Sequence, residues 1–437
     1  MANRKLTMFL ALMLCCTFLL GLAPARAENV HLMVWGAIAG EKGPFELIEA
    51  FEAKNPGITV EYVQFRNNAD GNTKLNTALI DGADVDVFVN YGVANLDARW
   101  RDLCEPLDAY MQQDGFVMDE HFSDGYATFE NGVYGLPAST IKDLVYLNMA
   151  ALEEAGLPLP AANWTIEDLE KYAAALTKGE GVEKRFGSVA GILGKEWAWY
   201  VQGVLGANCY YKADGTSNFD DPLFAKALSF VLKLENELKV QYSRTELIAS
   251  KLDYITEFGV GNSAMLFASD AIIRNFLTQE TYPRDWKIGF ANFPALSADQ
   301  EQNYKIGRSY FDYVSVAKNS RNKEAAWKLC RFWATEGSEY LFKYGRFPAW
   351  KQMDIESAID MMFTDDIKPY FDLNSFKSVV LDFDSPGVVD DHFVAYSDIE
   401  NTLITEAEKA WVGMQTVEES LANAKKLADQ AIAEAQK

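Results

Sequence analysis

Few residues in this 437-residue chain could run histidine or metal chemistry. It carries three histidines, His31, His121 and His392, far apart and with no H-E-x-x-H, C-x-x-C or G-x-S-x-G around them. A zinc site or a Ser-His-Asp triad is therefore not expected. Gly194-Lys195 comes near a phosphate-cradling loop, but Glu196 stands where Ser or Thr is needed and Val189 where the first glycine belongs. Any catalysis would fall to carboxylates, and glycoside hydrolysis is the reaction class that suits them. The aromatic content of 13%, with ten Trp, offers a different chemistry: recognition by flat rings. Trp197, Trp199 and Tyr200 form its densest group, which reads either as lobe core or as a ligand platform.

The elements that would position these residues alternate. Val30 to Trp35 reads as a buried strand, and Gly36 to Gly43 as a glycine-punctuated loop. Pro44 suits the first turn of a helix carrying Phe45, Ile48 and Phe51, which Pro56-Gly57 ends. Strands over Ile58 to Tyr62 and Val85 to Val89, with a short helix at Leu75 and Leu79 between them, predict a mostly parallel sheet with helical crossovers. A strand follows at Leu144 to Leu147. Thr165 with Asp168, and Thr416 with Glu419, predict capped helix starts. Further helices are expected at Asp221 to Leu238, Lys323 to Thr335 and Asp398 to Trp411. The length calls for two lobes rather than one core.

Arg4 and Lys5, the apolar run from Leu6 to Leu22, and Ala25-Arg26-Ala27 together read as a secretory signal peptide cut after Ala27. Cleavage removes Arg4, Lys5 and Arg26 and no acid, so the mature chain is three units more negative than the −23 of the full sequence. That excess argues against nucleic acid and anionic membrane surfaces as partners. Cys104, Cys209 and Cys330 remain, and their odd number and wide spacing predict buried thiols rather than a disulfide framework.

The order of segments then resembles extracellular solute-binding protein family 1, the sugar-binding subunits of ABC importers. Phe51-Glu52-Ala53-Lys54-Asn55-Pro56-Gly57-Ile58 looks like the family's first helix–strand unit, and Asp84 to Phe88 its third strand. Leu103 to Tyr110 is similar to "L-x-P-L-D-x-Y". Gly132 to Pro137, Val145 to Asn148, Glu154 to Leu157 and Trp164 form the strongest run. Gly261 to Met265, Ser320 to Trp327 and Tyr344-Gly345-Arg346-Phe347-Pro348-Ala349 follow in family order. The chain departs from the pattern at Ser269-Asp270-Ala271 and Gly307-Arg308.

The resemblance implies an α/β, two-lobed periplasmic-binding-protein fold of the type II, Venus-flytrap kind. One lobe would take residues 28–138 plus 311–337, the other 142–307 plus 342–437. Crossings would fall near Ala138 to Ile141, Arg308 to Tyr310 and Gly337 to Leu341. Ligands of open α/β sheets sit beyond the carboxyl ends of the strands, which points to the loops after Trp35 and Val89 and to Thr140. The implied ligand residues are Glu41, Lys42, Asn90, Tyr91, Thr140, Trp197, Tyr200, Asp270 and Arg308. The ligand would be a sugar or oligosaccharide and the macromolecular partner an ABC permease. The protein would be an exported monomer with no cofactor and no metal. A carboxylate-dependent hydrolase and a periplasmic sensor loading a receptor kinase are the competing readings.

Overall fold

A computed structural model describes residues 29–82, 84–191, 194–298, 309–381 and 390–436. Among the described residues twelve strands run in chain order: β1 (Val30–Gly36), β2 (Ile58–Gln64), β3 (Val87–Tyr91), β4 (Leu136–Pro137), β5 (Ser139–Ile141), β6 (Asp143–Asn148), β7 (Val189–Ala190), β8 (Met265–Ser269), β9 (Ile288–Asn292), β10 (Ser309–Tyr310), β11 (Asp312–Val316) and β12 (Phe347–Pro348). They form three sheets.

The first sheet has the order β2-β1-β3-β11-β4. β1 pairs in parallel with β2 and β3, as the strand–helix alternation predicts, and β11 returns antiparallel to β3 from far along the chain. The helix Pro44–Lys54 begins at Pro44 and buries Leu47, Ile48 and Phe51. It stops at Asn55-Pro56-Gly57, where Gly57 takes φ 101°, a conformation open to glycine at no steric cost. The helix Lys323–Ala334 packs on the same sheet and buries Trp327, Cys330 and Trp333.

The second sheet, β7-β8-β6-β9, is covered on both faces. Val145, Leu147, Phe267 and Ala291 enter one apolar cluster, while Leu144, Tyr146, Leu266, Ala268 and Phe290 enter the other. This strict period of two on a doubly buried sheet is why these strands read as continuous apolar runs. Both expected capping boxes form, at Thr165 with Asp168 and at Thr416 with Glu419. The helix Pro222–Leu232 runs on into a π-helical turn, Lys233–Glu237.

Between these sheets lies a three-stranded crossing, β10-β5-β12. Two of its strands fall at the expected places. The third is Phe347–Pro348 rather than Gly337 to Leu341, because Ser338–Phe342 is a helix that packs on Pro44–Lys54. Cys104, Cys209 and Cys330 are all buried free thiols. Among the described residues no helix is long and apolar enough to cross a membrane.

Candidate ligand cleft

The carboxyl ends of β1 and β3 meet the crossing strands, and two tyrosines set the loop between them. The Ala37 amide donates to Tyr91 Oη at 2.5 Å, and Tyr62 Oη donates to the Ile38 carbonyl at 2.6 Å. Tyr62 is half-buried and stacks on Trp333 at 6.2 Å with a 19° tilt. The turn after β1 is therefore held from two neighbouring strands.

Asp312 lies opposite Tyr91 in the β3–β11 register. Its carboxylate, 2% exposed, forms an ion pair with Arg346 Nε at 2.8 Å. The Arg346 guanidinium lies 5.6 Å from the Tyr91 ring centroid and 5.8 Å from that of Phe311. Burial raises the Asp312 pKa above its usual value, against the downward pull of Arg346. The other Asp312 oxygen, Oδ1, has no hydrogen-bond partner among the described residues.

The second sheet contributes the 3-10 turn Asp270–Asn275, directly after β8. The Asp270 amide donates to the Lys142 carbonyl at 2.7 Å, which fixes the turn to the crossing segment. Gly345, at φ 79°, allows the chain before β12 to approach this turn: a Cβ there would come within 3.0 Å of Arg274 Cβ. Arg274 and Arg346 are thereby neighbours. Desolvation first, then Arg346, lowers the Arg274 pKa. On the first sheet's side, Lys42 Nζ lies 5.5 Å from the Tyr344 ring, and Glu46 accepts from Tyr344 Oη at 2.8 Å and Lys343 Nζ at 2.9 Å.

Behind the turn is a group of acids. Burial raises the Asp143 pKa to about 7, with Asp270 and then Glu196 adding to the rise and Lys195 opposing it.

The residues singled out from sequence separate into two groups. Thr140 lies on the crossing strand β5, Asp270 is bonded to Lys142 just after it, and Tyr91 faces Arg346 ahead of β12, while Lys42 lies apart beside Tyr344 with the exposed Glu41 next to it. Thr140, on β5, donates to the Pro348 carbonyl at 3.4 Å. Asn90 lies elsewhere, with no exposed surface. Its amide donates to Ser315 Oγ at 3.0 Å and accepts from Arg99 Nη1 at 2.8 Å, so it serves the interior of the first sheet's lobe. Trp197 and Tyr200 are 2% and 5% exposed and belong to the apolar cluster of the second sheet. The Trp197 indole donates to Gly194 O at 3.0 Å, and Tyr200 packs on Phe293. Both line a cavity of about 30 Å³ with Glu235, Arg244 and Trp411, a volume suited to water rather than to a sugar ring. Arg308 lies outside the described residues.

Tyr62, Arg274 and Asp312 escaped the sequence reading. Asp312 opens a strand whose residues are all buried, and a carboxylate beside the apolar Tyr313, Val314 and Val316 was the available signal. Arg346 stood within the quoted Gly-Arg-Phe-Pro-Ala turn.

The profile of the family described as bacterial extracellular solute-binding protein matches residues 44–340. The chain belongs to this family. A binding protein of Brucella abortus (strain 2308) is 27% identical to this solute-binding protein, over 72% of this chain and 74% of its own. Solved structures are similar in fold. An ABC substrate-binding protein of Listeria monocytogenes in complex with cycloalternan is 20% identical with a TM-score of 0.74, covering 93% of this chain and all (100%) of that one. The sugar-binding protein MalE of Xanthomonas citri is 18% identical with a TM-score of 0.70, covering 93% and 98%. UgpB of Mycobacterium tuberculosis, in complex with glycerophosphocholine, is 18% identical with a TM-score of 0.70, covering 93% and 99%. Family and structural relatives are binding proteins, which favours capture over the hydrolase reading. Among the described residues no group of three or more His, Cys, Asp or Glu is placed to hold a metal ion.

Proposed function

We propose that this protein is the extracytoplasmic solute-binding subunit of an ABC importer, that it takes a sugar or oligosaccharide between its lobes, and that it releases the solute unchanged to a permease. The observation that carries this reading is the convergence of Tyr91, Asp312 and Arg346 from the first sheet and crossing strands with Asp270 and Arg274 from the second. Aromatic faces and paired polar groups are what a hydroxyl-rich ring needs: the rings cover C–H faces, and carboxylate and guanidinium exchange hydrogen bonds with hydroxyls.

The mechanism is differential affinity. A solute that touches both lobes when the cleft is shut stabilises the shut form, and the populations shift accordingly. A micromolar dissociation constant corresponds to about −8 kcal/mol, within reach of a few hydrogen bonds and one covered ring. The crossing strands β5, β10 and β12 are short, which suits a hinge. A monomer delivered after cleavage at Ala27 completes the reading.

The test is a thermal-shift screen of the mature protein against mono- and oligosaccharides, glycerophosphodiesters, amino acids and polyamines. A saccharide should raise the melting temperature, since a ligand of the folded form stabilises it, and should be recovered intact. A shift with amino acids or polyamines and with no saccharide refutes the carbohydrate reading. Turnover of a chromogenic glycoside refutes pure binding.

A further inference from the structure

We propose that the second sheet's lobe carries a subsite for an uncharged sugar ring, in the pocket between the helices Trp199–Leu205 and Tyr396–Trp411, with Trp199 as the platform of that ring. This rests on the solute-binding reading above and adds a place and a ligand class to it.

The pocket adjoins the crossing. β9 ends at Asn292, opposite Leu144 near the start of β6, so Phe293 lies at the end of the second sheet next to β5. Trp199 packs on Phe293 with ring centroids 5.9 Å apart and planes at 75°. Beyond Trp199 the walls are Tyr210 and Tyr396, stacked at 6.0 Å with a 28° tilt. Trp197, two residues earlier, turns into the core instead, because residues two apart on a helical turn face different ways. The pocket has a volume of about 70 Å³, against about 30 Å³ for the cavity beside Trp197. That is room for the hydroxyl-bearing edge of a ring rather than for a single water.

The polar groups of this pocket await a partner. The Trp199 indole N–H, the Gln202 side-chain amide and the hydroxyls of Tyr210 and Tyr396 make no hydrogen bond among the described residues. Tyr210 is only 9% exposed, so a partner for its hydroxyl has to enter from the pocket. Together these groups both donate and accept. The charges, by contrast, are already engaged. Lys195 Nζ meets Glu400 Oε1 at 2.7 Å, and Asp390 accepts from the Asn208 amide at 2.6 Å. Burial raises the Asp390 pKa above its ordinary value, which favours its neutral form. A sugar ring answers each of these features: its hydroxyls donate and accept, its C–H face covers an aromatic plane, and it brings no charge. Water alone would satisfy the hydroxyls but leave the half-buried rings of Trp199 and Tyr396 wet.

The experiment is calorimetric titration of the mature protein with maltose, cellobiose, xylobiose and galactobiose, and with two charged dimers, digalacturonate and the glucosamine dimer. At least one neutral disaccharide should bind at least tenfold more tightly than either charged dimer. Trp199→Ala should weaken that binding at least tenfold. Gln202→Ala, which removes an amide without a partner, should weaken it several-fold and leave the melting temperature of the solute-free protein unchanged. Tyr396→Phe should act in the same direction through its lost hydroxyl, whereas the core substitution Trp197→Phe should stay within twofold. Neutral binding that survives both Trp199→Ala and Gln202→Ala overturns the subsite and leaves the solute-binding reading standing. Binding of a charged dimer as tight as that of the neutral ones overturns the uncharged class. No binding by any of these saccharides refutes the carbohydrate reading, and the subsite falls with it.

Discussion

Arg346 reaches the Asp312 carboxylate at 2.8 Å, tying the segment that leads into the crossing strand β12 to β11 of the first sheet. The pair joins two stretches of chain that are separate in sequence and belong to different sheets. Its carboxylate is almost wholly removed from water, so its worth depends on the partner staying in place.

Removal of that partner's counter-charge should be costly. Asp312→Asn is expected to destabilise the protein by about 3 kcal/mol, since breaking a buried pair strands the surviving charge. Urea denaturation of the solute-free protein measures it, and a loss below about 1 kcal/mol would show that Arg346 finds another partner.

Asn90 gives a contrasting case. Its amide lies between Arg99 and Ser315 and away from the crossing. Asn90→Ala should cost about 2–3 kcal/mol, the scale of a lost hydrogen bond to a charged group, while solute affinity in the folded variant stays within twofold. Titration calorimetry on that variant separates the two effects.

Trp197 is expected to behave as core. Trp197→Ala should lower stability by about 3–5 kcal/mol, and Trp197→Phe should keep solute affinity while losing the bond to Gly194 O. A large affinity loss in a stably folded Trp197→Phe variant would return this ring to the ligand.

The pH response should come from raised acids. Burial lifts Glu235 from 4.5 to about 7, against the amide of Arg244, the Trp411 indole and Gln241, which favour its ionised form. An acid with a raised folded pKa binds its proton more tightly when folded. Its contribution is complete below about 4.5 and is lost as pH rises through about 7, amounting to roughly 3 kcal/mol. Asp143, also raised to about 7, acts in the same direction. Glu235→Gln should flatten the stability–pH curve across this window, as read by melting temperature from about pH 5 to pH 8. An unchanged slope would assign the effect elsewhere.

The thiols offer a simple check. Burial pushes Cys104 up to about 12 and Cys209 and Cys330 higher still. A disulfide-exchange reagent should label none of the three in the folded protein at neutral pH and all three in denaturant. Fast labelling of any one in the folded protein would contradict its burial.

Local signals in the sequence carried much of this architecture. Pro44 opened its helix, Pro56-Gly57 closed it, and Thr165 and Thr416 capped theirs, because each of these effects acts within a turn or two of backbone. The apolar runs of β1, β3 and β6 marked strands for the same reason: alternation of side chains is a property of the strand itself. Family membership was legible too, from the order of such segments.

The cleft was decided by tertiary structure. Trp197 and Tyr91 are both aromatic residues beside plausible loops, yet one is enclosed by Phe224 and the second sheet's cluster while the other faces Arg346. The segment before β12 gains its place from the close approach of Gly345 to Arg274, and Asp312 from a strand that pairs with β3 across about half of the chain. Sequence determined which segments would be helix or strand, since those preferences are short-ranged. Which charges and rings meet depended on how distant segments pack, because burial and Coulomb interaction follow distance in space rather than position along the chain.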